Sequence, residues 1–187
     1  MTGRLVRSRD KSFRGHNMMR MALICGALLA SAGAQAASQT GTSKAVALRP
    51  ITLVNVTALD FGSIVPGVTN GTVTINSRTG VRTRTVATLV GSTFSRAQFV
   101  ATGTVGRVVT LTVSPAATIN ITSGANTMAI NTLRVSANGG AARTFGQNYT
   151  IPASGTITYN MGGRLNVGAN KPAGIYSGTF SLTLNYQ

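Results

Sequence analysis

The sequence predicts an all-β fold, an antiparallel β-sandwich, and three observations carry that expectation. Val, Ile and Thr number 16, 9 and 26 in residues 37–187, and these branched side chains suit a pleated, half-buried surface. Apolar and polar residues alternate in short runs. Gly, Asn and Pro interrupt those runs, and no stretch keeps the i, i+3, i+4 spacing of an amphipathic helix over three turns.

In chain order, Ile51 to Leu59 is a mixed apolar stretch after Pro50. Thr72-Val73-Thr74-Ile75 alternates behind Asn70-Gly71, a tight-turn pair. Val81 to Val90 is Thr-rich and is entered through Arg78-Thr79-Gly80. Phe94 to Thr102 follows Gly91. Val108 to Val113 places Val109, Leu111 and Val113 on one face. Thr118 to Thr122 turns Ile119 and Ile121 inward, and Met128 to Val135 follows. Asn138-Gly139-Gly140 is a second turn signal. Thr156 to Val167 puts Ile157, Tyr159, Met161, Leu165 and Val167 on one parity, and Ile175 to Gln187 closes the chain. Eight to ten strands in one domain is a sandwich-like count, and no linker divides residues 50–187.

Residues 1–36 read as a cleaved signal peptide. Arg4, Arg7, Arg9, Lys11, Arg14 and Arg20 make a basic start, Met21 to Ala34 is uncharged and apolar, and Ala34-Gln35-Ala36 before Ala37 is a small-x-small cleavage pattern. The apolar run falls short of the roughly 20 residues of a membrane span. Cys25 opens that run instead of closing it, so it does not mark a lipoprotein. Met1, Met18, Met19 and Met21 are all candidate starts. Residues 37–49 read as a flexible, mostly small and polar tail whose sizeable apolar residues are Val46 and Leu48.

Removing the leader changes what the charge means. The whole chain carries +15, which by itself suggests nucleic acid. Residues 37–187 hold eleven bases and one acid, Asp60, and no His, Cys or Glu. The excess therefore comes from missing acids more than from a concentrated basic face. The same scarcity argues against catalysis: paired carboxylates, thiolates and His-based triads cannot be assembled. Zinc finds no usual N or S ligand and calcium a single carboxylate. A Ser–Lys pair would have to use Lys44 or Lys171, both in tail or loop. Neither a catalytic residue, a metal site nor a cofactor is expected. Asp60 suits a turn, its carboxylate accepting backbone N–H groups before Gly62.

Arg78, Arg82 and Arg84 cluster around Gly80, with Arg82 and Arg84 on one parity. They form a candidate anion-binding face. No aromatic residues interleave with them, as single-stranded nucleic acid would favour.

The last run holds the cleanest pattern. Gly174, Tyr176, Gly178, Phe180, Leu182, Leu184 and Tyr186 share one face, and the residues between them are polar after Ile175. Such alternation specifies one register and one buried face. Tyr186 is penultimate and Gly174 is fourteenth from the end, and in both respects this strand resembles the C-terminal strand of chaperone-usher pilins. The larger chain resembles a family of exported β-domains of unknown function, common in alphaproteobacteria and regarded as pilin-like. The resembling pieces are Leu59-Asp60-Phe61-Gly62-Ser63-Ile64, Gly71-Thr72-Val73-Thr74-Ile75, Phe99-Val100-Ala101-Thr102-Gly103, Asn126-Thr127-Met128, Gly162-Gly163-Arg164-Leu165-Asn166-Val167, and Pro172 to Phe180.

The resemblance implies an immunoglobulin-like, pilin-like sandwich, exported through the periplasm to the cell surface. It implies a fimbrial subunit without catalytic activity, with a periplasmic chaperone and like subunits as partners. Gly174, Tyr176, Phe180, Leu182, Leu184 and Tyr186 would form the contact strand, beside a groove filled by the tail of the next subunit. The chain lacks the core disulfide of many pilins, and its tail offers only Val46 and Leu48. The alternative expectation is a monomeric exported adhesin that holds anionic glycans through Arg78, Arg82 and Arg84.

Overall fold

The long strand β11 (Thr156–Val167) organises the molecule. Its inward residues Ile157, Tyr159, Met161, Leu165 and Val167 are all at most 2% exposed, as their shared parity predicts. The structure is a computed structural model that describes residues 41–187. The expected signal peptide, with Ala34, Ala36 and Ala37, lies outside the described residues.

On one edge β11 pairs first with β6 (Ala97–Thr102) and then with β3 (Gly71–Ile75). On the other it pairs with β9 (Asn126–Ala137). Beyond these lie β1 (Thr52–Thr57) on β6, β4 (Arg82–Thr85) on β3 and β8 (Ile119–Ser123) on β9, and all seven strands run antiparallel to their neighbours. A second layer is built from β7 (Val108–Ser114), flanked by β10 (Asn148–Thr150) and β12 (Ser181–Tyr186). β2 (Ser63–Val65) and β5 (Thr88–Val90) pair as a separate two-stranded ribbon. The result is an all-β antiparallel sandwich, with no helix among the described residues.

The layers close on each other through β7 and β12. Val109, Leu111, Val113 and Leu184 are buried against residues of β6, β9 and β11. Tyr149 of β10 meets Tyr159 of β11 edge-on at 5.2 Å between centroids, and Phe99 meets Phe180 at 6.2 Å. Both contacts have the geometry aromatic rings prefer. Burial pushes the Tyr159 phenol far above its ordinary range, and Tyr149 beside it adds to the shift. The Tyr149 phenol is raised too, by burial, partly offset by Arg143. Neither hydroxyl has a hydrogen-bond partner among the described residues.

Two local features keep the long strands in register. In β9 the pairing with β11 shifts between Asn131 and Arg134, where Thr132 adopts φ 51°. The bulge switches β9 from burying Met128 and Ile130 to burying Leu133 and Val135. At Gly162 a Cβ would overlap the Ile75 carbonyl oxygen, so only glycine lets β3 approach.

Several runs depart from the sequence expectation. Val81 to Val90 is two strands, not one. Val86 turns the chain at φ 64°, sending Arg82–Thr85 to the large sheet and Thr88–Val90 to the ribbon. Phe94 to Thr102 becomes strand only from Ala97. Ile175 to Gln187 becomes strand only from Ser181. Before that the chain touches β8 through a single bridge, Ser177 to Thr122. Gly178 there has no room for a Cβ against Asn120. β2 and β10, of three residues each, are too short to show alternation.

Candidate functional site

The second layer is incomplete between residues 59–66 and the segment that leads into β12. Strands β1 and β12 are each terminal in their sheets, and no described strand pairs with their outer edges. The gap holds a cavity of ≈ 810 Å³. Its floor is the inner face of the large sheet: Ile119 and Ile121 of β8, Met128 and Ile130 of β9, Leu165 and Val167 of β11. Its walls are Leu59 to Pro66 on one side and Lys171 to Gly178 with Phe180 on the other. The walls already cover most of this floor, since Ile119, Met128, Ile130, Leu165 and Val167 are at most 9% exposed and Ile121 is half-buried. Ile175, at the rim, is 89% exposed.

Backbone chemistry shapes both walls. The Asp60 carboxylate accepts the Gly62 N–H at 2.8 Å, the turn role the sequence suggests. Gly62 is at φ 73°, where a Cβ would overlap the Thr93 carbonyl oxygen. Asp60 and Ser95 exchange backbone hydrogen bonds, each of 2.9 Å. On the other wall the Tyr176 hydroxyl donates to the Pro172 carbonyl at 3.0 Å, folding the approach to β12 over itself.

The six residues expected to act as one contact strand divide into two groups. Gly174, Tyr176 and Phe180 line the cavity. Leu182 and Leu184 instead pack on the core, and Leu184 is 7% exposed. Tyr186 is a tie. Its hydroxyl accepts the Thr104 N–H at 2.8 Å and donates to the Arg49 carbonyl at 2.9 Å. Arg49 N–H in turn donates to the Thr104 hydroxyl at 2.7 Å. Gly103 is buried under this contact, with no room for a Cβ beside the Tyr186 hydroxyl. The last strand therefore clasps the root of the N-terminal tail at Arg49, and none of the three residues of the clasp lines the cavity. The alternation predicted the inward face. The clasp joins residues 137 positions apart and left no sequence signal beyond an aromatic residue with a polar tip.

The arginine cluster is put to internal use. Arg82 donates to the Phe61 carbonyl and to the Gly91 carbonyl, both at 2.8 Å, and stacks on Phe94 with 4.4 Å to the ring centroid. Arg84 donates to the Ala87 carbonyl at 2.8 Å. Arg78 is exposed, and its own carbonyl accepts from Arg96, which also holds the Ser77 carbonyl at 3.1 Å. Arg96 stands apart from the cluster in sequence and joins it only in the fold. With one side-chain carboxylate among the described residues, these guanidiniums take peptide oxygens as partners, and they brace the loops behind residues 59–66.

The site therefore defines a class of architecture: an antiparallel sandwich with an apolar cavity between its large sheet and the segments 59–66 and 171–180. Residues 51–186 match the family described as Domain of unknown function (DUF4402), and the chain belongs to that family. No curated protein and no solved structure matches it.

Proposed function

We propose that the protein is an exported structural subunit that completes its sandwich with a β-strand from a partner, in the manner of a fimbrial subunit. The observation that carries this reading is the gap itself. Core residues of three strands face it, and one wall carries β2, which pairs with β5 alone among the described strands. An added strand would gain main-chain hydrogen bonds along an edge and insert alternate side chains into the apolar space. Left empty, such an edge invites uncontrolled association, which gives a reason for a periplasmic chaperone to occupy it first. The alternation of the last strand and the leader-like first 36 residues agree with this reading.

The glycan-binding alternative gains nothing from the arginines. Arg82 and Arg84 are already engaged with backbone carbonyls, and none of the three guanidiniums belongs to the lining of the apolar cavity.

The test is electron microscopy of the exported, purified chain beside variants Ile121→Asp and Tyr176→Asp, which put a charge into the gap. Filaments, or a stable pair with a co-purifying chaperone, are expected for the parent and not for the variants. A parent chain that stays monomeric and alone would sink the proposal.

A further inference from the structure

The apolar cavity has a polar neighbour. A second cavity, of ≈ 470 Å³, shares Met128, Val167 and Lys171 with it. The large sheet ends between the two: β11 stops at Val167, opposite Gly71 at the start of β3, and β9 begins at Asn126. The first cavity lies against the inner face of the sheet and the second against the outer. Alternation makes the two chemically opposite. Met128, Ile130, Leu165 and Val167 point inward. Outward, Thr85, Thr72 and Asn166 form one cross-strand row over β4, β3 and β11, and Asn70 and Thr127 line the same cavity. Asn70 Oδ1 accepts the Ala169 N–H at 2.9 Å, which aims the rest of the amide as a donor. Lys171 is half-buried where the cavities meet. Its stem lies along the chain at Gly168, where a Cβ would come within 2.9 Å of Lys171 Cε. Asp60, the one side-chain carboxylate among the described residues, is on the other wall of the first cavity and holds the Gly62 N–H.

We propose that the two cavities form one binding site for an anionic single-chain amphiphile. The acyl chain lies in the apolar cavity, the acidic head, a carboxylate or a phosphate, meets the Lys171 ammonium, and hydroxyls on the head meet Asn70, Thr72 and Asn166. The sizes fit, since small-molecule pockets run from about 300 to 1,000 Å³ and the cavities measure ≈ 810 and ≈ 470 Å³. A space lined by Ile, Leu, Val and Met gives water too few polar partners. Each methylene that an acyl chain moves into it strengthens binding roughly fourfold. Charge selects an acidic head over a neutral or cationic one: residues 37–187 hold eleven bases and one acid, and the resulting field draws anions to the surface. The site concerns the single chain and stands apart from strand completion.

The test is displacement of a fluorescent fatty acid from the exported, purified chain by dodecanoate, dodecyl phosphate and 1-dodecanol, each kept below the concentration at which it forms micelles. We expect saturable, single-site binding, with the better of the two acids about tenfold tighter than the alcohol through its charged contact. Lys171→Gln should remove that preference and leave 1-dodecanol unchanged. Lys44→Gln, which removes the same charge from the tail, should change nothing. Ile121→Trp narrows the apolar cavity and should weaken all three probes. A series from octanoate to dodecanoate reads the same cavity with no substitution, and affinity should climb with every methylene. Preference for dodecanoate identifies a free fatty acid as the ligand, and preference for dodecyl phosphate a phosphorylated lipid. Equal binding of acids and alcohol, or an equal loss in Lys44→Gln and Lys171→Gln, overturns the role of Lys171. Affinity that ignores chain length overturns the apolar half of the site. Filaments formed by a chain that binds none of the probes remove the amphiphile site and leave strand completion standing.

Discussion

Around Tyr159 the two layers of the sandwich touch; around Ile121 they do not. Both residues sit on the inner face of the same sheet, in strands joined through β9. Tyr159 is covered by Tyr149 and is fully buried, whereas Ile121 is half-buried and faces the cavity. The difference is not in the sheet, whose inward residues are apolar throughout. It lies in the cover supplied by the second layer. β7, β10 and β12 roof one half. Over the other half the cover is residues 59–66, which hold β2, and the approach to β12. One half of the sheet is thus roofed by a paired three-stranded sheet and the other by loops and the short strand β2.

Substitutions break or sharpen this contrast. The largest effect is expected at Leu111, fully buried on β7 outside the gap. Leu111→Ala should lower the urea-unfolding free energy by about 4 kcal/mol, whereas Ile121→Ala should cost about 1 kcal/mol, because a side chain facing open space leaves little new void. Equal losses would mean the gap is filled in the isolated protein. Next comes Gly162→Ala, expected to cost about 3 kcal/mol, since its methyl group meets the Ile75 carbonyl and must push β3 from β11. Hydrogen exchange should show the protection of β3 falling most.

The arginine braces come third. Arg82→Ala should cost about 2 kcal/mol, through two lost carbonyl contacts and the Phe94 stack. Arg78→Ala should be close to neutral in the same melt. The smallest effect is Tyr159→Phe. It removes a buried hydroxyl without a partner and should raise stability by about 1 kcal/mol. Because folding raises this phenol above its ordinary 10.0, its contribution is intact below about pH 10 and is lost as pH climbs beyond it. The variant should flatten that alkaline decline.

The sequence carried the parts of the fold that depend on neighbours along the chain. The inward parity of Ile157, Tyr159, Met161, Leu165 and Val167 is a property of one strand, as is that of Val109, Leu111 and Val113. The break at Val86 was hidden because a β-branched residue in a Thr-rich run reads as strand, and its positive φ is imposed by the turn into β5. The division of the last run at Ser181 was hidden for the opposite reason. Its alternation is continuous, yet Gly174 to Thr179 meets β8 only at the Ser177–Thr122 bridge and forms no strand. Of the candidate site, the apolar face was legible. The clasp and the arginine braces were not, because each joins a side chain to a distant peptide oxygen, and every residue has one.

Those braces carry a consequence for the setting in which the domain works. A fold held by guanidinium–carboxylate pairs loosens in acid, when the carboxylates take up protons. Here the acceptors are peptide oxygens of Phe61, Gly91, Ala87, Ser77 and Arg78, which take up no proton in any ordinary medium. With one side-chain carboxylate and no imidazole among the described residues, few side chains titrate between about pH 3 and pH 9. The melting temperature should be nearly level across that span. The molecule is, in effect, buffered by its own composition against the acidity of whatever surrounds it.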